Sequence, residues 1–164
     1  MFRVHVDRSK LDLKRIRRNL ESARVNIVND AADMVVRDIQ SGVRSRTDIN
    51  NKPFQRLQLT TAKRKQRKGS PHPTRPLHDT GHMAFGPYVS KRATQSDPEA
   101  TIIPPKTHPS LEGTEYSGTD LARWHQEGAG NLPQREWFGV SERVLPRIRR
   151  IKRKHVRNAL RRGI

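Results

Sequence analysis

The residues best suited to chemistry lie in the run HPTRPLHDTGH, which holds three histidines and an aspartate within eleven residues. Imidazole and carboxylate groups are metal ligands and general acids or bases. His78 and His82 would share one face of a helix, but Gly81 and the preceding prolines disfavour a helix here. The pattern therefore favours a turn over a metal site, in which Asp79 and Thr80 bond to the backbone and Gly81 supplies backbone freedom.

A second candidate for acid–base chemistry is the pair His125 and Glu127, but their spacing is a poor arrangement for mutual contact on a strand or a short helix. The other carboxylates are dispersed without the spacing of a divalent-metal site, and no phosphate-binding glycine loop, GxSxG or HExxH motif is present. The chain has no cysteine, which excludes a Cys-ligated zinc site. We expect no catalytic residue, metal or cofactor, with a metal-dependent nuclease as the weaker alternative.

The composition is strongly basic and poor in core-forming residues. Lys and Arg total 34 against 16 acidic residues, which gives a net charge of +18. Such a field attracts polyanions or acidic protein surfaces. Hydrophobic residues make up 32% of the 164 residues, so we expect one domain, spanning 1–164, with a lean core and a surface that binds a partner. No signal peptide and no apolar run long enough for a membrane span is evident.

The elements that must position these residues follow from hydrophobic periodicity. Alternation at 2–6 predicts a strand, and apolar residues at steps of three or four predict a long helix from a Ser9 cap to near Gly42. Two strands after Gly81, separated by a polar turn at 96–98, are expected to pair antiparallel. Thr119 is expected to cap a short helix that ends at Gly128, and a last strand is expected around Phe138.

Basic residues concentrate in two further segments. Residues 43–76 lack a regular pattern and contain several prolines, which predicts a long extended arm with a brief helical piece at 60–68. Residues 142–162 form a second amphipathic helix, with Pro146 in its first turn. The expected contacts with DNA or an acidic partner are Lys63, Arg64, Lys65, Arg67 and Lys68 in the arm, and Arg147, Arg149, Arg150, Lys152, Arg153, Lys154, Arg157, Arg161 and Arg162 in the helix.

Four stretches, which follow one another along the chain in the same order as in the family, resemble the virion morphogenesis proteins of tailed bacteriophages, the tail completion or neck family. PLHDTGHMAFG is similar to that family's "PL.dTG.L..S", and LARWHQEG is similar to its "YA..HQ.G". LPQREWFGVSERVLPRI resembles "iPaR.FLG.S...l..I", and NNKPFQRLQLTTAKRKQRKG resembles "G.pW.pLs..T...K....G". The resemblance covers about 9–160, with departures such as Phe54 in place of a common Trp.

The resemblance implies an α+β subunit with a small antiparallel sheet packed against a long N-terminal helix and a basic C-terminal helix. It implies a structural role without catalysis, in a homo-oligomeric ring, expected to be hexameric, at the head–tail junction of the virion. Its partners would be head connector or adaptor proteins, tail terminator or tube proteins, and packaged DNA in the lumen, with assembly in the host cytoplasm. In this hypothesis Thr80 and Gly81 open a strand, His125 to Gly128 form a tight helix end, and Arg135 and Phe138 help to build the sheet.

The alternative is a nonspecific nucleic-acid-binding protein, for which the charge alone would suffice. No zinc-finger spacing, basic zipper or RNA-stacking aromatic pair supports sequence-specific recognition.

Overall fold

The long N-terminal helix predicted from the apolar spacing is the largest element of the structure. The computed structural model describes residues 12–79, 81–106, 116–130 and 132–162. Helix α1 spans Leu13–Ser45, which is 33 residues or about 50 Å long. The Asp12 carboxylate caps it by accepting a hydrogen bond from the Arg15 N–H at 2.9 Å. The predicted cap Ser9 and the predicted strand at 2–6 lie outside the described residues.

The predicted end of α1 at Gly42 is wrong, because the helix continues through Ser45 and closes at Arg46, which adopts a left-handed conformation with φ of 62°. Gly42 is buried inside the helix. A Cβ there would lie 3.0 Å from Nη2 of Arg143 and 3.1 Å from the Thr47 carbonyl oxygen. This glycine therefore serves close packing and not capping.

The remaining elements confirm the α+β class. They are α2 (Leu59–Arg67), α3 (His82–Phe85), β1 (Tyr88–Lys91), β2 (Thr101–Ile103), α4 (Gly118–Glu127) and α5 (Leu145–Arg161). None of the helices in the described stretches is both long enough and apolar enough to span a bilayer.

The predicted antiparallel strand pair is present as β1 and β2, with Tyr88 opposite Ile103. The connection turns where Thr94 N–H donates to the Asp97 carbonyl at 2.7 Å. Asn29 of α1 exchanges two hydrogen bonds with the backbone of Ala93, at 2.9 and 3.1 Å, which fixes the sheet against the long helix. The sheet has only these two strands in the described part of the chain.

The basic C-terminal helix α5 packs antiparallel on α1, as successive side-chain pairs show. Asp38 of α1 accepts from Ser141 and Arg143, which lie just before α5. Toward the other end, Asn19 Nδ2 donates to the Ala159 carbonyl at 3.3 Å. Pro146 lies in the first turn, as predicted.

The core lies where one half of α1 meets the segments between the helices. It consists of Val35, Ile39, Val43, Phe54, Leu77, Met83, Ala84, Ala122, Trp137 and Val144.

One predicted strand begins later than expected and another is absent from the described residues. The strand expected to open at Gly81 starts only at Tyr88, because His82–Phe85 form the short helix α3, in which the N–H groups of Phe85 and Gly86 donate to the carbonyls of Gly81 and His82. The strand expected around Phe138 is irregular chain, with Phe138 packed against the core. There a side chain, that of Gln126, accepts from the backbone that a strand would have paired.

The segment 43–76 is long, as predicted, and carries the expected short helix as α2. It is nevertheless anchored to the core, since Val43 at its start, Phe54 within it and Leu77 just after it are all buried there. Lys65 of α2 connects the middle of the segment to the carbonyl oxygens of His72, Arg75 and His78.

Candidate functional site

A cleft of about 470 Å³ lies where the segment containing α2 meets α4 and the chain that follows α4. Among its described lining residues five are positively charged and only Asp79 is acidic. The positive residues are Arg56, Arg64, Lys65, Lys68 and Arg135, and apolar walls are supplied by Leu57, Leu77, Leu121, Leu132 and Pro133. Each of the four sequence stretches that resemble the phage family contributes to this cleft.

Lys65 is buried and stabilises one wall of the cleft. Its ammonium Nζ donates to the carbonyl oxygens of His72, Arg75 and His78 at 3.2, 2.8 and 3.2 Å, and lies 4.0 Å from Oδ1 of Asp79. The side chain is 8% exposed, and its burial lowers the pKa of Lys65, an effect that Asp79 partly opposes. The proline-rich chain from His72 to His78 therefore wraps around the ammonium group of Lys65. The prediction that it contacts an external partner is wrong, because all three ammonium donors point into the protein.

Arg135 forms the opposite wall. Its backbone N–H donates to the His125 carbonyl at 2.7 Å, while Nη1 and Nη2 reach the carbonyls of Pro133 and Gln55 at 3.4 Å each. The residue is 3% exposed, and burial lowers the pKa of its guanidinium. Nε is buried and makes no hydrogen bond with the described residues. The predicted role of Arg135 in the sheet is wrong, since it binds loop carbonyls.

Gln126 connects α4 to the irregular chain after it. Its Oε1 accepts hydrogen bonds from the N–H groups of Trp137 and Phe138, both at 3.1 Å. Trp137 Nε1 in turn donates to the Ala122 carbonyl at 3.3 Å. These bonds satisfy the backbone of the predicted last strand without a second strand, which explains its irregular shape.

The predicted tight helix end at Gly128 is confirmed. Gly128 has φ of 79°, and a Cβ there would lie 3.0 Å from Cβ and N of Gln134. The N-terminus of α4 uses Ser117 and not the predicted Thr119, in a capping box with Asp120. His125 lies in the last turn, half-buried, and lines the cleft, whereas Glu127 is exposed and does not.

The histidine cluster of the opening motif forms an aromatic contact. The His72 and His78 rings are 4.2 Å apart, and His78 meets Phe85 edge-on at 5.5 Å. Burial lowers the pKa of His78, and its electrostatic interactions with His72, Arg75 and Lys65 lower it further. Among the described residues no group of three or more potential ligands could hold a metal. Gly81, with φ of 89°, precedes α3, and Thr80 lies outside the described residues.

A second basic region lies on the outer face of α5, away from the cleft. All nine predicted residues there are exposed, and none pairs with a carboxylate in the described chain. They flank the partly exposed Val156 and Leu160. We call this the α5 basic surface, formed by Arg147, Arg149, Arg150, Lys152, Arg153, Lys154, Arg157, Arg161 and Arg162. On α2, Lys63, Arg64, Arg67 and Lys68 are also exposed, as a contact with DNA or an acidic partner would require.

The sequence did not indicate that the side chain of Gln126 binds the backbone of the chain after α4. The only signal was an amide residue two positions before a glycine helix end. It also missed that Arg135 is a buried cation, which no local pattern distinguishes from an exposed one.

Comparisons with protein-family models, with curated proteins and with solved structures find no match for this chain.

Proposed function

We propose that this chain is a structural virion protein of a tailed bacteriophage, a tail completion or neck subunit that forms a ring at the head–tail junction and enables heads and tails to join. The observation that carries the proposal is the interlocking of the four stretches that resemble that family. They are spread over about a hundred residues of sequence, yet hydrogen bonds join them into one unit.

The connections run through the residues of the resembling stretches themselves. Lys65 joins the NNKPFQRLQLTTAKRKQRKG stretch to His78 of the PLHDTG stretch. Gln126 of the HQEG stretch binds the backbone of the REWFG stretch, and Arg135 of the latter reaches Gln55. These side chains bind backbone atoms and so stabilise the fold. Because the residues of the resembling stretches stabilise the fold, the chain is better suited to assembly than to catalysis.

Exposed leucines support self-association. In the described chain α5 packs chiefly on α1, and the first part of α1 lies beyond the core residues. Leu13 is 71% exposed there, and Leu20 and Leu160 are also exposed. Large apolar side chains grouped at one end of a helix pair are suited to a subunit contact. The α5 basic surface would then face DNA or an acidic neighbour in the ring.

Light scattering and electron microscopy of the purified chain test the ring. We expect a closed oligomer that the double substitution Leu20→Glu with Leu160→Glu breaks into smaller species. Leu59→Glu, which alters an exposed leucine on α2, is the matched control and should leave the oligomer intact.

Inactivation of this chain in the virus that encodes it tests the junction role. We expect free heads and separate tails, which regain infectivity when the purified chain is added. Normally joined, infectious particles formed without the chain would overturn the proposal.

The second candidate is nonspecific binding of nucleic acid, which the nine cations of the α5 basic surface favour, since none of them pairs with a carboxylate of the described residues. They lie within 16 residues, along about 24 Å of helix, a spacing comparable to that of phosphates on a duplex. The affinity for duplex DNA should fall steeply with salt. Replacing Arg149, Arg150 and Arg153 with Gln should reduce the slope of log K against log salt by about 2 to 3. If nucleic-acid binding is the only function, heads and tails should join normally without this chain.

A further inference from the structure

Arg135 is a buried cation without a counter-charge in the described chain. Its two hydrogen bonds to carbonyl oxygens are both 3.4 Å long, and its guanidinium carries five N–H donors. No carboxylate of the described residues lies within ion-pair distance of it. A buried charge is costly unless it is paired, so this arrangement calls for an anion from outside the described chain.

The cleft provides the space for such an anion. It has a volume of about 470 Å³ and Arg135 is part of its wall, with Nε fully buried and unbonded to the described residues. Asp79, the one acidic residue among the described lining residues, lies near the ammonium of Lys65 instead. Arg56, Arg64 and Lys68 line the cleft as exposed cations. The cleft is therefore positive both inside and at its edge.

We propose that this cleft is a binding site for a carboxylate of a partner polypeptide, with Arg135 as its inner anchor and Arg56 and Arg64 as outer contacts. A guanidinium pairs with a carboxylate through two parallel N–H···O bonds, which would engage donors that the carbonyl contacts leave unused. The inference goes beyond the head–tail proposal and does not depend on it.

The walls favour a peptide over a nucleic acid. Four leucines and a proline line the cleft, and they suit apolar side chains next to the carboxylate. No Phe, Tyr or Trp is among its described lining residues, so it lacks the usual platform for stacking a base. The α5 basic surface, which is exposed and continuous, is the better surface for a phosphate backbone.

Side-chain NMR on the full chain tests the site directly. The Nε–Hε resonance of Arg135 is assigned by its loss in Arg135→Lys. The probe is N-acetyl-Leu-Glu-Leu-Glu-Leu amide, and its counterpart with Gln in place of Glu is the control peptide. We expect the Glu peptide to shift the resonance and the Gln peptide to leave it in place. An unmoved resonance, or equal shifts with both peptides, would overturn the proposal.

Substitutions provide a second measurement that does not depend on the folding of an Arg135 variant. Arg56→Gln with Arg64→Gln should weaken binding of the Glu peptide severalfold. The charge-matched control is Arg18→Gln with Arg24→Gln, at two exposed residues of α1, and it should not change the affinity. Where Arg135→Gln keeps its far-UV circular dichroism, the loss should be about thirtyfold or more. Equal affinity in the two double variants would reject the cleft as the site.

Two further measurements identify the molecule that supplies the carboxylate. A shift of the Arg135 resonance as the concentration of the wild-type chain rises supports the proposal and identifies the partner as a second copy. No such shift, together with peptide binding, supports it with a different protein as the partner. If duplex DNA shifts the Arg135 resonance at a lower concentration than the Glu peptide does, the carboxylate assignment is wrong.

Discussion

The two buried cations of the cleft and the exposed cations of α5 carry the same charge but have opposite environments. Lys65 and Arg135 are buried and bind backbone carbonyls, whereas the α5 basic surface is exposed and lacks carboxylate partners in the described chain. A buried cation that satisfies carbonyls holds the fold together. An exposed row of like charges does not stabilise the fold and is available for a partner. Substitutions in the two regions should therefore have opposite effects on stability.

Lys65→Met gives the largest expected effect. It keeps most of the side-chain volume but leaves the carbonyls of His72, Arg75 and His78 without their shared donor. We expect the free energy of unfolding to fall by about 3 kcal/mol or more, measured by urea denaturation. Lys63→Met on the exposed face of the same helix is the control and should stay within about 0.5 kcal/mol of the wild type. Equal losses in both variants would mean that the burial of Lys65 contributes nothing.

Gln126→Leu comes next. It removes the acceptor that the Trp137 and Phe138 N–H groups share. The Phe138 N–H then lacks an acceptor in the described chain, whereas the Trp137 N–H keeps its bond to the Arg135 carbonyl at 2.8 Å. The free energy of unfolding should fall by about 2 kcal/mol. Gln126→Glu keeps an acceptor oxygen and should retain most of the stability, and Gln66→Leu, an exposed position in α2, should change little. If Gln126→Glu is as unstable as Gln126→Leu, the amide acts by packing and not as an acceptor.

A pH effect from His78 is expected to be smaller. Its pKa is lowered in the folded chain, so the unfolded chain binds more protons at mildly acidic pH. The stability contributed by neutral His78 is complete above the unfolded pKa of about 6.5 and is lost as pH falls below it towards the folded pKa. His78→Phe keeps a ring between His72 and Phe85 and should flatten the fall in melting temperature on acidification. An unchanged pH profile in His78→Phe would show that the acid-induced loss of stability does not come from His78.

The sequence predicted the elements that local sequence patterns determine. The helices α1 and α5 and the pair β1–β2 were predicted because their apolar periods are long or their turn residues clear. Gly128 was predicted as a helix end because a glycine after a helical run favours the left-handed conformation.

The parts that were missed depend on distant contacts. REWFGVS looks like a strand in sequence, but its backbone donors bind the side chain of Gln126 and the carbonyl of His125. Lys65 lies in the run KRKQRK, where nothing local separates the one buried cation from its exposed neighbours. Burial is a tertiary property, so the composition predicted a polyanion partner but could not tell which charges are available to it.

Neutralising part of the α5 basic surface should have the smallest effect on stability, and of opposite sign. Replacing Arg149, Arg150 and Arg153 with Gln relieves repulsion between like charges one turn apart and removes no ion pair in the described chain. The free energy of unfolding should rise by on the order of 0.5 kcal/mol at low salt. High salt should abolish the gain because it screens the repulsion. Arg92→Gln, which breaks the pair with Asp33 at 2.8 Å, should instead lower stability slightly. A loss of stability in the α5 variant would show that these arginines support the fold, and the contrast between the two basic regions would fail.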